Sequence, residues 1–66
     1  MNTFGDNLRE IREDKGMSQQ QLATELHICR ANISRWESGT YSPQVRWVYE
    51  IAKILKVNPT EFFRDK

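Results

Sequence analysis

The residues best placed to do chemistry in this chain lie between Cys29 and Gly39: Cys-Arg-Ala-Asn-Ile-Ser-Arg-Trp-Glu-Ser-Gly. Read as a helix at about 3.6 residues per turn, they divide into two sides. Arg30, Ala31, Ser34, Arg35 and Ser38 fall on one side. Asn32, Ile33, Trp36 and Glu37 fall on the other. The first side carries two guanidinium groups and two hydroxyls, with no acid and nothing bulky. The second can bury an Ile and a Trp. This is chemistry for recognition rather than bond-breaking. A narrow basic face with an apolar back suits the DNA major groove, which admits one helix, and Arg30 and Arg35 suit paired hydrogen bonds to guanine O6 and N7.

Other chemistries are poorly supplied. There is no Ser-His-Asp set, no close carboxylate pair in an evident pocket and no glycine-rich phosphate loop, so an enzyme is not expected. His27 and Cys29 are the single histidine and cysteine, too few to complete a zinc site. Neither a metal nor a cofactor is expected, and no small-molecule effector is evident. Cys29 leaves a redox switch open beside the plainer reading of an inert helix cap.

The elements that must position this helix are legible on both sides of it. Thr3 and Asp6 fit a capping box for a first helix, in which Phe4, Leu8 and Ile11 recur at helical spacing. Arg9, Glu10, Glu13, Asp14 and Lys15 read as a solvated face, with Arg12 on the flank of the apolar one. Gly16 tolerates a left-handed cap. Ser18 and Gln21 fit a second capping box, followed by Leu22, Ala23 and Leu26. Gln19 and Gln20 stand in its first turn, where unpaired N–H groups can receive a phosphate; they are equally readable as plain polar residues. His27-Ile28-Cys29 then leaves room only for a sharp turn, the geometry of a helix-turn-helix over about residues 18–38.

Beyond Gly39, the stretch Thr40, Tyr41, Ser42 and Gln44 collects hydroxyls, an amide and backbone N–H groups, with Arg46 nearby. Such groups grip phosphates without reading sequence; the alternative is an ordinary polar loop. Ser42 reads as the cap of a fourth helix and Pro43 as its first residue. Val45, Val48, Ile51, Ala52 and Leu55 make its expected core face, and Trp47 and Ile54 an exposed flank. Asn58 and Pro59 open a last short helix. Phe62 and Phe63 are adjacent and cannot both fill one core site. One is left, with Trp47, Ile54 or Val57, for a surface patch of the kind that marks partner contacts.

Composition sets the outer bounds. The 66 residues make one domain, covering residues 1–66. A chain this short buries only ~60% of the surface it exposes unfolded, so a second copy is a natural source of stability. Net charge is +1, low for a nucleic-acid binder, but Asp6, Glu10, Glu13 and Asp14 sit early in the chain and Arg30, Arg35 and Arg46 later. A locally positive face is compatible with that sum. No apolar run is long enough to span a membrane and no signal peptide is visible, so a cytoplasmic protein, nucleoid-associated when bound, is expected.

These residues, in order, resemble a known family. Leu8-Arg9-Glu10-Ile11-Arg12, Gly16-Met17-Ser18-Gln19, Leu22-Ala23, Ile33-Ser34-Arg35-Trp36-Glu37-Ser38-Gly39, Ser42-Pro43, Ile51-Ala52-Lys53 and Leu55-Lys56-Val57 together are similar to Cro/cI-type, or XRE-type, helix-turn-helix domains of phage and bacterial regulators. The resemblance spans about residues 4–63. It implies an all-α, compact five-helix, lambda-repressor-like bundle. It places Arg30, Ala31, Ser34 and Arg35, with Ser38 beside them, at base edges. It places Gln19 and, in the loop after Gly39, Thr40, Tyr41, Ser42 and Gln44 at phosphates; Gln20, Asn32 and Arg46 are further candidate phosphate contacts read from the chain itself. Arg12 and Glu37 match a structural ion pair. Trp47, Ile54, Val57 and Phe63 fall where the family dimerises, about residues 47–63. The departures are His27, where the family prefers Gly, and Cys29, where it prefers Ser or Thr as helix cap.

The function implied is a transcriptional regulator, a repressor by preference, that binds double-stranded DNA at a palindromic operator as a homodimer. The competing reading is a protein-interaction module on the same fold, antitoxin- or adaptor-like, which the low net charge and the apolar patch favour.

Overall fold

The structure, a computed structural model, describes residues 3–64. Every regular element among the described residues is helical: α1 (Phe4–Asp14), α2 (Gln19–Leu26), α3 (Arg30–Ser38), α4 (Val45–Leu55) and a closing 3-10 helix (Pro59–Phe63). The expected fifth helix is thus a single 3-10 segment.

Local sequence explains most of the boundaries. Thr3 accepts from the Asp6 N–H while Asp6 returns to the Thr3 N–H. Ser18 and Gln21 close the same reciprocal box on α2. α2 ends at His27 and α3 at Gly39, both left-handed, with φ of 60° and 83°. His27 is therefore a non-glycine residue in a conformation that glycine adopts more readily. Cys29 occupies the cap of α3 and makes no side-chain cap hydrogen bond.

Two features of α4 depart from the expected arrangement. Ser42 and Pro43 do not open the helix. The chain stays non-helical through Gln44, whose backbone caps α4, and Val45 is the first helical residue. Pro43 instead lies half-buried in a groove with Phe4, Ser42, Val45, Val48 and Phe63. Val45 is 69% exposed and not part of the core; it lies one turn before exposed Tyr49, on the flank of α4 beside the 3-10 helix. On the opposite flank, Trp47 and Ile54 are half-buried against the core rather than exposed. Trp47 packs with its ring centroid 6.1 Å from that of Trp36.

The core joins all five elements through Leu8, Leu22, Ala23, Leu26, Ile33, Trp36, Val48, Ile51, Ala52, Leu55 and Phe62. Phe62 is fully buried and Phe63 is 66% exposed, so the adjacent pair divides between core and surface. Two close approaches set α1. Gly5 packs so tightly on the end of α3 that a Cβ there would lie 2.6 Å from the Trp36 carbonyl oxygen. Asn7 is buried and its Nδ2 donates to the carbonyls of Phe62 (2.8 Å) and Arg64 (2.9 Å). That amide ties the closing segment to the first helix.

Candidate nucleic-acid interface

α2 and α3 are joined by His27, Ile28 and Cys29 alone. The turn is held by the Ile28 N–H donating to the Ala23 carbonyl (3.0 Å) and the Asn32 N–H to the Cys29 carbonyl (3.0 Å). Fully buried Ala23, Leu22 and Ile33 lock the two helices together. α3 is thereby fixed with Ile33, Trp36 and Glu37 buried. Arg30, Ala31, Arg35 and Ser38 are exposed, and Ser34 is half-buried.

The burial of Glu37 decides the charge of the outer face. Arg12 reaches across from α1 and donates from Nε to Glu37 Oε2 (2.7 Å) and from Nη2 to Glu37 Oε1 (3.1 Å). Its Nη1 donates to the Met17 carbonyl (2.7 Å). The side chains are 9% and 4% exposed. Hydrogen bonding to Glu37 raises the Arg12 guanidinium above its ordinary range, and burial opposes the rise. The one acid of α3 is therefore turned inward and neutralised, while both arginines of α3 face solvent.

Gln19 connects this buried pair to the surface. Its Nε2 donates to Glu37 Oε1 (3.0 Å), and its Oε1 accepts from Arg30 Nη1 (3.2 Å). Gln20 turns along its own helix and donates to Thr24 Oγ1 (3.2 Å). Asn32 is half-buried on the inward side of α3. At the far end of α3, the Ser38 hydroxyl donates to the Arg35 carbonyl (3.1 Å) and meets Thr40 Oγ1 at 2.8 Å. Ser38 is thus engaged in ending its own helix. Thr40, Tyr41, Ser42 and Gln44 are exposed beyond it. Arg46 lies with its guanidinium 4.9 Å from the Trp47 ring centroid, a cation–π contact. Gln19 and Arg30 are drawn together; Arg46 is drawn onto α4. Among the described residues no group of three or more His, Cys, Asp and Glu could hold a metal ion, and no helix is long and apolar enough to cross a membrane.

This arrangement of two helices, a tight turn and an outward basic face can be set against known proteins. The helix-turn-helix family model matches residues 8–62. The chain belongs to the XRE-type helix-turn-helix family. It is 36% identical over 58 residues to the transcriptional activator BcrR of Enterococcus faecalis, covering 88% of this chain and 28% of that protein. It is also 36% identical over 58 residues to the transcriptional repressor RghR of Bacillus subtilis, covering 86% of this chain and 43% of that protein. The chain thus spans less than half of either relative. Its structure is similar to that of the restriction-modification controller protein C.AhdI from Aeromonas hydrophila, with a TM-score of 0.86, 33% identity and 91% of each chain covered.

Within this helix-turn-helix domain, three structural residues escape a reading by sequence: Gly5, Asn7 and Lys56. Lys56 ends α4 at φ 59°. Gly5 and Asn7 look like ordinary first-turn residues, and only their partners on α3 and the 3-10 helix give them a role. The bond between Gln19 and Glu37 is equally hidden, because it joins residues on different helices.

Proposed function

We propose that the domain binds double-stranded DNA sequence-specifically, with α3 in the major groove, and acts as a transcriptional repressor at a palindromic operator. The observation that carries this reading is the inward pairing of Glu37 with Arg12, which leaves Arg30 and Arg35 on an exposed face free of α3 acids. Arg30 and Arg35 read guanine edges, and Ala31 and Ser34 permit close approach. Gln19, Gln20, Thr40, Tyr41, Ser42 and Gln44 contact phosphates and fix register.

The domain works as a homodimer that presents two α3 helices to successive major grooves, ~34 Å apart. The exposed patch of Val45 (69%), Tyr49 (57%) and Phe63 (66%) supplies the contact. It lines a groove of about 210 Å³ with Val48, Pro59 and Thr60. Trp47 and Ile54, on the opposite flank of α4, serve the core more than this contact. The test is selection of bound duplexes from a random pool, with the stoichiometry of the complex measured. A palindromic motif with two chains bound supports the proposal; retention of every sequence alike overturns its sequence specificity, and retention of none overturns DNA binding and favours a protein-interaction module on the same fold.

A further inference from the structure

We propose that Glu37, buried and out of reach of any base, is a specificity-determining positioning residue that acts on Arg30 through the side-chain amide of Gln19. The inference rests on the reading of α3 as the base-reading helix.

The chemistry of the three groups leaves one arrangement. An ionised carboxylate only accepts hydrogen bonds and a guanidinium only donates them, whereas an amide does both from opposite ends. Glu37 Oε1 accepts from Arg12 Nη2 and Gln19 Nε2, and Oε2 accepts from Arg12 Nε. The Gln19 amide must therefore turn its nitrogen inward. Its oxygen is left facing Arg30, which donates to it from Nη1 at 3.2 Å. Reversing the amide would set oxygen against carboxylate and NH2 against guanidinium, two mismatches at once. The buried ion pair thus dictates that an acceptor, and not a donor, stands beside residue 30.

Two consequences follow for recognition. Arg30 is steered before DNA arrives, with one of its five N–H groups held by Gln19 and the others left for a base edge. Less rotamer freedom is then lost on binding. The bond is exposed, so its effect is that of one ordinary hydrogen bond, roughly two- to tenfold in affinity.

The test uses the full chain and the operator duplex obtained by selection, together with its single-base variants. Affinities are measured for wild type, Arg30→Ala, Gln19→Met, the double variant and Glu37→Asp. Gln19→Met keeps the length of the side chain and leaves Arg12 and Glu37 paired. Glu37→Asp keeps a carboxylate for Arg12 but withdraws it from Gln19. The expected result is a roughly two- to tenfold loss of preference at the base pair that Arg30→Ala relaxes, with the other base pairs unchanged. It appears in Gln19→Met and Glu37→Asp, and Gln19→Met adds nothing to it in the Arg30→Ala background. In the free protein, side-chain NMR should show Arg30 gaining mobility in Gln19→Met and in Glu37→Asp. A uniform loss over all duplexes on Gln19→Met makes Gln19 a phosphate contact alone and overturns the relay. So does an undiminished Gln19→Met effect in the Arg30→Ala background. If Glu37→Asp unfolds the domain, the Gln19→Met and double-variant comparison decides. A wild type with no base preference overturns the proposed function itself, while preserved preference with unchanged variants overturns the relay only.

Discussion

Arg12 and Glu37 form a two-pronged ion pair between α1 and α3, at 2.7 Å and 3.1 Å, with both side chains nearly excluded from solvent. Such a pair is poor in net stabilisation, because both charges lose water, but each partner becomes a liability without the other. Glu37→Ala should therefore cost ~3–5 kcal/mol, read as a shift in the denaturant midpoint. Replacing both residues by apolar ones of similar size should cost clearly less than the sum of the single changes. Equal costs for pair and sum would mean that the charges do not act together.

Gly5 gives a second, opposite-signed expectation. By helix propensity alone, Gly→Ala in α1 should gain up to ~1 kcal/mol. The added Cβ would instead meet the carbonyl oxygens of Trp36 and Glu37, which are backbone and cannot swing away. Gly5→Ala should destabilise by ~1–3 kcal/mol or more, the usual range for overpacking. Thermal unfolding followed by circular dichroism checks the sign.

These two sites show what could and could not be read from the chain. The helices, their capping boxes, the tight turn at His27 and the outward side of α3 all follow from local spacing. That spacing also put Glu37 inward. It could not show that Gln19 meets Glu37, or that Gly5 and Asn7 face α3 and the 3-10 helix, because those contacts depend on how helices pack. The same limit explains α4. Apolar spacing marks Val45 as a core residue and Trp47 as an exposed one, but only the position of the neighbouring elements decides which end and which flank is covered. Ser42-Pro43 matched a helix start in type, yet the helix begins only at Val45 and the proline lines a groove shared with Phe4 and Phe63.

Acid should act on the start of α1. The Thr3 N–H and hydroxyl hold the Asp6 carboxyl below its ordinary value of 3.8. A carboxyl lowered in the folded state contributes stability above its unfolded value, and that stability is lost as pH falls through the folded one. The capping contribution should be intact at neutral pH and fade below about pH 4. Asp6→Asn should remove this acid limb from the first turn, measured by amide exchange in α1 across pH.

The exposed ring of Phe63 gives a test of assembly that leaves the reading face untouched. Phe63→Asp should shift the protein toward monomer in sedimentation and weaken operator binding by at least tenfold, while circular dichroism stays helical. The same substitution without effect on stoichiometry on DNA would remove the Val45, Tyr49 and Phe63 patch as the contact between copies.

The central claim, that α3 reads bases, is tested most directly by Arg35→Ala. Its binding is measured on the selected operator and on every single-base variant at constant salt. A lost bidentate contact should cost ~1–3 kcal/mol on the operator and relax the preference at one base pair in each half-site. A loss of the same size on every duplex would make Arg35 a phosphate contact and contradict the account.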